Sequence, residues 1–277
     1  MTEMKADAIH FAQLESTENL HGRVTRALAL QVIKAERNSQ QLVFPNEGEL
    51  CRQLGVSRSI LRESIKVLQD KGMVEVRPRS GTRALPRAHW DQLDGDILAW
   101  QSSLKPDPHF LLDFCEVRLA IEPVAAGFAA LRATDEELAT IRECLGRRLQ
   151  LGAAEDLDAA IDANLQFHHA VTVASHNPLF LQLNTTGRDP FRIALSYTLR
   201  VPASLTLELD AYRRLTEAIE ARHPLEAKRA AEEVVGLAML AVDRVIRDHE
   251  DETKPPVKPQ HQRKAGKPHI VRSRPEP

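Results

Sequence analysis

The hydrophobic pattern changes its period at one glycine, Gly72, and this change restricts the fold of the first third of the chain. Before Gly72, apolar residues recur at the spacing of one helix face, and they are Ile60, Leu61, Ile65 and Leu68. After Gly72, apolar Val74 and Val76 alternate with charged residues, which is the period of a strand with one buried face. The pattern therefore predicts a helix that ends at Gly72 and is followed directly by a strand.

Signals around this helix predict two more helices and a hairpin. Ser57 is a suitable N-cap for the helix, and Gly55 is suited to the left-handed residue that ends a preceding helix in GELCRQLG. The segment GRVTRALALQVIKAE has an amphipathic helical pattern, and RPRSG predicts a turn into a second short strand, TRAL. This order of elements is that of a winged helix-turn-helix domain, which we place at residues 20–86.

The composition is that of a soluble, mostly helical protein with two domains. Of the 277 residues, 43% are hydrophobic, 27% are charged and only 4% are aromatic. The three cysteines, Cys51, Cys115 and Cys144, lack CxxC spacing, which indicates buried thiols rather than a disulfide framework or a zinc knuckle. Neither a signal peptide nor an apolar stretch of membrane length is recognisable, so we expect a cytoplasmic protein.

The second half of the chain has a helical pattern almost throughout. Asn-Pro, Val-Pro and His-Pro breaks divide it into segments that predict an all-α bundle of six or seven helices at residues 107–250. Thr134 and Glu137 have the spacing of a capping box, and Pro123 must either start a helix or kink one. The remaining segments are a linker with a short helix at 87–106, a disordered arm at 1–19 and a disordered, basic, Pro-rich tail at 251–277.

Two arginines, Arg58 and Arg62, lie one turn apart at the start of the predicted third helix. Arginine is electrostatically unfavourable at the positive end of a helix, so helix stability does not explain them. In a helix-turn-helix domain this end of the helix enters the major groove, where arginine contacts guanine and phosphate. The alternative is a solvated basic face. The candidate DNA-contacting residues are Arg52, Ser57, Arg58, Ser59, Arg62, Arg79 and Gly81.

The block FPNEGELCRQLGVSRSILRESIKVLQDKGMVEVRPRSGTRAL resembles the DNA-binding domain of the GntR family of bacterial transcription regulators. The family pattern runs Leu-Pro-x-Glu, Glu-Leu, Leu-Gly-Val-Ser-Arg, Val-Arg-Glu and Gly-x-Gly. This chain matches it without gaps, except that it has Phe44, Leu61 and the wing residues 79–81 at three of its positions. The resemblance implies a winged helix in which four positions contact operator DNA, and here they are Arg52, Arg58, Arg62 and Gly81.

The helical half resembles the FCD effector domain of the FadR-type branch of that family. The segments that carry this resemblance are EVRLAIEPVAAGFAA at 116–130 and NLQFHHAVTVASHNPL at 164–179. The segment WDQLDGDILAW at 90–100 further resembles regulators of sugar-acid catabolism, such as the galactonate repressor. The resemblance therefore implies a domain that binds a small effector molecule.

Members of this branch often bind a metal ion through an Asp and a His one helical turn apart and two further His. This chain keeps His168, but it has Asn164 and Tyr212 at two ligand positions and no His at 234–236. We therefore expect no metal and no other cofactor. Instead, we expect a small organic acid to be bound directly by Arg118, Asn164, His168 and Tyr212. The alternative is that Arg118 forms only a helix pair with Glu122, and that His168 is a core residue.

Together these features predict a homodimeric transcription regulator that binds a palindromic operator, because two-fold symmetry presents the same helix to two half-sites. We expect a repressor of a catabolic operon, and we expect its ligand to release this repressor from DNA. One alternative is a metal-dependent hydrolase that uses the His168 region, but HExxH and a Gly-rich phosphate loop are missing, so no enzyme is expected. The other alternative is a nonspecific architectural DNA-binding protein.

Overall fold

The computed structural model describes residues 20–78, 81–104, 107–151, 156–199 and 202–253. Within these ranges the protein is mainly α-helical with one two-stranded sheet, which confirms the predicted winged helix-turn-helix followed by an all-α bundle. Among the helices of these ranges, none combines the length and the apolar character that a membrane span requires. The predicted arm at 1–19, Arg79 and the tail from residue 254 lie outside the described residues.

The N-terminal half consists of three helices and a hairpin: α1 Leu20–Arg37, α2 Glu47–Leu54, α3 Arg58–Asp70, β1 Val74–Arg77 and β2 Gly81–Ala84. Gly55 ends α2 with a φ of 70°, and the hydroxyl of Ser57 accepts a hydrogen bond from the backbone N–H of Ile60. The two strands pair antiparallel, with Val74 opposite Ala84. The predicted caps and the predicted hairpin are thus confirmed.

The buried face of α3 differs in part from the predicted one. Leu61 and Leu68 are fully buried, as predicted, but Ile60 and Ile65 lie only partly buried at the edge of the core. Ser64 is completely buried instead, and its hydroxyl donates to a backbone carbonyl of α1 at 3.3 Å. Ile60 and Ile65 still pack against this core, so all four predicted residues lie on the face of α3 that meets it. The pattern missed Ser64, whose small side chain lies at the centre of this face and contacts α1.

Gly72 follows α3 in a left-handed conformation, with a φ of 72°. It faces a short 3-10 helix, Arg87–His89, and a Cβ at this position would lie 2.1 Å from the carbonyl oxygen of His89. Only glycine tolerates both the backbone angle and this close approach. The predicted end of the helix is confirmed, and this contact packs the hairpin end of the domain against the segment that follows it.

The segment predicted as a linker contains a helix, α4 Gly95–Ser102, that packs into both halves of the protein. Trp90, Ile97 and Trp100 belong to the core of the N-terminal half. Leu98 belongs to a second core, together with Ala194 of the C-terminal half. A packed helix therefore connects the two halves.

Within the described residues, seven helices form the C-terminal bundle, in agreement with the predicted six or seven. They are α5 Pro108–Arg132, α6 Asp135–Leu151, α7 Leu157–Ala174, α8 Pro178–Thr186, α9 Arg188–Thr198, α10 Pro202–Glu220 and α11 Pro224–Thr253. Thr134 and Glu137 form the predicted capping box, with reciprocal hydrogen bonds of 2.8 and 3.2 Å. Pro123 lies inside α5 without ending it, and α11 continues beyond residue 250 to Thr253.

Candidate functional site

The start of α3 presents two arginines and two serines to solvent. The side chains of Arg58 and Arg62 are 73% and 68% exposed. Ser57 and Ser59 are exposed beside them, with their hydroxyl oxygens 2.9 Å apart. We call these four residues the α3 face. Its guanidinium and hydroxyl groups suit contacts with base edges and phosphates.

A glutamate of α2 contacts both arginines of the α3 face. The Oε2 atom of Glu47 lies 3.1 Å from Nε of Arg62, and its Oε1 atom lies 3.8 Å from Nε of Arg58. Glu49 pairs with Arg52 in a similar way. Since Glu47 begins α2, the packing of α2 against α3 positions its carboxylate between the two guanidinium groups. The sequence pattern did not reveal this role, because the pairing depends on how the two helices pack.

The wing contributes one described candidate residue, Gly81, at the start of β2. Its φ is 77°, and no heavy atom lies within 4 Å of the position that a Cβ would occupy. Backbone conformation rather than lack of space therefore requires glycine here. All the candidate DNA-contacting residues that lie within the described ranges are exposed, as a contact with DNA requires: Arg52, Ser57, Arg58, Ser59, Arg62 and Gly81.

The four candidate effector-binding residues lie together inside the C-terminal bundle. The hydroxyl of Tyr212 on α10 lies 2.7 Å from Nε2 of His168 and donates to Oδ1 of Asn164 at 2.8 Å. Arg118 of α5 is 5% exposed and joins this group through Glu122, whose carboxylate lies 2.9 Å from Nδ1 of His168. The structure thus brings together residues from three helices. Their role in binding stays a prediction.

Glu122 holds Arg118 and His168 in place. Its carboxylate accepts hydrogen bonds from Nε and Nη2 of Arg118 at 2.7 and 3.3 Å. Burial alone would raise the pKa of Glu122, but Arg118 and His168 outweigh burial and lower that pKa to about 2. The helix pair that formed the alternative interpretation is therefore present. It still leaves Nη1 of Arg118 buried and without a hydrogen-bond acceptor among the described residues.

Two charged residues that the sequence pattern did not predict complete this site. Arg148 of α6 has an exposure of 0%, and its Nη2 atom lies 4.0 Å from Oε2 of Glu208 on α10. The Oε1 atom of Glu208 accepts a hydrogen bond from Nδ2 of Asn164 at 3.4 Å. Burial raises the pKa of Glu208, and Arg148 and Asn164 offset only part of that effect. The buried polar cluster hereafter comprises Arg118, Glu122, Arg148, Asn164, His168, Glu208 and Tyr212.

Hydrogen bonds connect the side chains of the buried polar cluster into one network. Asn164 donates through Nδ2 to Glu208 and accepts through Oδ1 from the hydroxyl of Tyr212. Nε2 of His168 lies 2.7 Å from that hydroxyl, and Nδ1 lies 2.9 Å from the carboxylate of Glu122. Among the described residues, the cluster therefore combines two carboxylates, Glu122 and Glu208, with two guanidinium groups, Arg118 and Arg148.

Phe191 of α9 covers the cluster. The centroid of its ring lies 3.6 Å from the guanidinium carbon of Arg118 and 4.8 Å from the ring centroid of His168. The cavity beside His168 and Glu122 offers about 10 Å³, the space of roughly one water molecule. A larger ligand therefore enters only when side chains around the cluster move.

The buried polar cluster does not fit the metal ion that the family resemblance suggests. Both ring nitrogens of His168 already contact side chains of the cluster, Nδ1 at 2.9 Å from Glu122 and Nε2 at 2.7 Å from Tyr212. Arg118 and Arg148 add positive charge next to the position that a cation would take. Within the described parts of the chain, no group of three or more His, Cys, Asp or Glu residues is placed to hold a metal ion. The cluster therefore offers hydrogen-bonding groups and fixed charges rather than a set of metal ligands.

Comparisons with known proteins match both halves of the chain. The model of the bacterial regulatory proteins of the gntR family matches residues 24–83, and that of the FCD domain matches residues 113–236. The galactonate operon transcriptional repressor of Escherichia coli (strain K12) is 32% identical over 68% of this chain and 82% of its own length. The HTH-type transcriptional regulator YieP of the same organism is 29% identical, over 75% of this chain and 88% of YieP.

A solved structure supports the same fold. It is that of Lar, which is described as controlling the expression of the Listeria monocytogenes agr system. The TM-score is 0.50, the sequence identity is 19%, and the match covers 83% of this chain and 100% of that one. At this identity the similarity concerns the fold alone.

Proposed function

The chain belongs to the GntR family of bacterial regulatory proteins and has an FCD domain, and from this membership we propose a repressor that an organic acid releases from its operator. It is a DNA-binding transcription regulator and not an enzyme. We propose that it acts in the cytoplasm, where the operator is.

The proposed operator contacts are the α3 face, Arg52 of α2 and the wing at Gly81. Exposed arginines at the start of the helix that enters the major groove are suited to bidentate contacts with guanine. A homodimer presents two such helices with two-fold symmetry, which favours a palindromic operator.

The proposed effector is a small hydroxylated organic acid of the sugar-acid class. The observation that carries this proposal is the buried guanidinium of Arg118, whose Nη1 atom has no hydrogen-bond acceptor among the described residues. A buried donor without an acceptor is costly, so this guanidinium favours an incoming carboxylate or hydroxyl oxygen. Asn164 and Tyr212 offer neutral hydrogen-bonding groups for hydroxyls. The relative that is 32% identical is named for a galactonate operon, and galactonate is a carboxylate with several hydroxyl groups.

The proposed route from the effector to DNA passes through α9 and α4. On α9, Phe191 covers the buried polar cluster, and Ala194 packs in one core with Leu98 of α4. Trp100, on another face of α4, packs in the core of the N-terminal half. An effector that displaces Phe191 moves α9, and α9 then changes the position of α4 against the DNA-binding half.

Titration of sugar acids against the protein–operator complex tests the proposed function. The operator is first selected from a pool of random duplexes, and galactonate, gluconate and glucuronate are then added one at a time. At saturation, at least one acid is expected to lower operator affinity by about 5- to 150-fold, the usual range of allosteric coupling. Galactitol, which has the hydroxyls of galactonate but no carboxylate, is the control. If only fatty acids or amino acids release the operator, the sugar-acid assignment is wrong.

Replacement of Glu47 by glutamine is expected to reduce sequence discrimination. The variant loses the charged contacts that orient Arg58 and Arg62, so operator affinity falls. One negative charge fewer near DNA also strengthens nonspecific binding. The ratio of operator to random-duplex affinity should therefore fall by about 5- to 10-fold, at the low end of the cost of losing a whole bidentate contact. Competition between the two duplexes in a gel-shift assay measures this ratio.

The matched control for Glu47→Gln is Asp70→Asn, at the other end of α3. Asp70 is exposed and is also a carboxylate, so its substitution changes the net charge by the same amount. Both variants should strengthen nonspecific binding, but Asp70→Asn should leave the discrimination ratio within twofold of the wild type. Equal ratios for the two variants would show that Glu47 acts only through its charge.

A further inference from the structure

Glu208 is a buried carboxylate whose contacts are unusually long. Its residue exposure is 8%, yet its described polar contacts are only a 3.4 Å hydrogen bond from Asn164 and a 4.0 Å approach to Arg148. Charge-assisted hydrogen bonds are normally about 2.7–2.9 Å long. Glu208 is therefore buried like a structural ion pair without the geometry of one.

Glu122, in the same cluster, shows what a tightly held carboxylate looks like. It contacts Arg118 and His168 at 2.7 and 2.9 Å, and its pKa is lowered, whereas burial raises the pKa of Glu208. Burying an ion stabilises a protein only when its partners compensate for the lost hydration. Glu122 meets this condition and Glu208 does not. Fold stability therefore does not explain why a carboxylate occupies position 208.

Building on the proposed organic-acid effector, we propose that Arg148 and Asn164 form the binding site for its carboxylate, and that Glu208 occupies this site in the ligand-free protein. Arg148 and Asn164 already contact the two oxygens of one carboxylate, so the site has the required chemistry. The long contacts make Glu208 the easiest carboxylate of the cluster to displace. We call this pair of residues the carboxylate seat.

Arg118 provides a second contact point for the same ligand. Its Nη1 atom is buried and has no hydrogen-bond acceptor among the described residues, although its other nitrogens contact Glu122. A hydroxyl or a second oxygen of the ligand satisfies this donor. The ligand class is therefore a carboxylate with at least one further oxygen, held between Arg148 and Arg118.

Rescue by a small carboxylate tests the seat without DNA and without an effector. Glu208→Ala removes the resident carboxylate and leaves space beside Arg148. Acetate, compared with chloride at equal ionic strength, is expected to raise the unfolding midpoint of this variant in a saturable way, by about 2–4 °C. Glu208→Gln fills the same space with an amide and should not respond. If alanine prevents folding, Glu208→Ser leaves similar space with a polar group and must show the response.

The outcomes separate the seat from the proposed function. If acetate and chloride change the unfolding midpoint of Glu208→Ala equally, the assignment of the carboxylate seat is wrong. It is also wrong if acetate has the same effect on this midpoint after Arg148→Met is added. A larger effect of inorganic phosphate than of acetate would also overturn it, because the site would then be a phosphate site. Operator release by sugar acids is measured on the wild-type protein. Acetate rescue therefore tests the carboxylate seat independently, even if no sugar acid releases the protein from its operator.

Discussion

Replacement of both Arg58 and Arg62 by alanine is expected to lower operator affinity by about thirtyfold or more, since each side chain contributes roughly 1–3 kcal/mol to recognition. The two guanidinium groups are largely exposed and lie at the start of α3, so their removal deletes DNA contacts without opening a core. Arginine opposes the helix dipole at this end, so α3 should remain as stable as before or become slightly more stable. Footprinting and gel-shift titrations measure the loss, and circular dichroism checks the fold.

Lys66→Ala provides the matched control for the arginine variants. Lys66 is exposed on the same helix, one turn beyond Arg62, and its removal takes away one positive charge. This variant should weaken binding to operator and random duplex alike, as a phosphate contact does. The arginine variants should, in addition, lose the difference in affinity between operator and random duplex. Unchanged footprints in Arg58→Ala and Arg62→Ala would refute the assignment of the α3 face.

Arg118→Leu is expected to lower the free energy of unfolding by about 3–5 kcal/mol, because it leaves a buried carboxylate without its main partner. Of these two described contacts, Glu122 would then retain only the one with His168. The double variant Arg118→Leu with Glu122→Gln should recover part of this loss, since the buried carboxylate that lost its guanidinium partner is then also removed. Urea unfolding of the three proteins measures the effect. Arg214→Leu, which breaks an exposed pair with Glu233, should cost no more than about 1 kcal/mol.

The stability difference between wild type and Arg118→Leu should depend on pH in a defined direction. In the folded wild type the pKa of Glu122 is about 2, below the ordinary value of 4.5. A carboxyl group with a lowered pKa stabilises the fold fully above its unfolded value, and this contribution is lost as pH falls towards the folded value. The difference should therefore be largest above pH 4.5 and should narrow below it. If the free energies of unfolding of the two proteins differ by a constant amount across this pH range, Arg118 does not stabilise the ionised form of Glu122.

Features that depend on neighbouring residues in the sequence were predictable. The caps at Gly55 and Ser57, the helix end at Gly72 and the box of Thr134 and Glu137 each depend on residues at most four positions apart. Local backbone chemistry determines these features, so the pattern predicts them without knowledge of the packing. The hairpin was predictable for the same reason. Its alternation of apolar and charged residues and its turn residues lie next to each other in the sequence.

Features that depend on packing between helices were not predictable. Ser64 carries no apolar signal, yet it is buried because α1 approaches α3 at that point. Arg148 and Glu208 lie far apart in the sequence and meet only because α6 packs against α10. The candidate residues Asn164, His168 and Tyr212 came from a family resemblance rather than from any spacing. The structure brings them together, and their binding role awaits the experiments above.

The packing of α4 has a consequence for exchanging parts between related regulators. The family model of the DNA-binding region ends at residue 83, but three buried residues of that core lie after it: Trp90, Ile97 and Trp100. A chimera joined at residue 83 would receive these side chains from a different parent, and they would face a core for which they were not selected. A junction after α4 keeps the core intact and instead confines the mismatch to the contact around Leu98. The segment that can be inherited as a unit is therefore longer than the segment that defines the family.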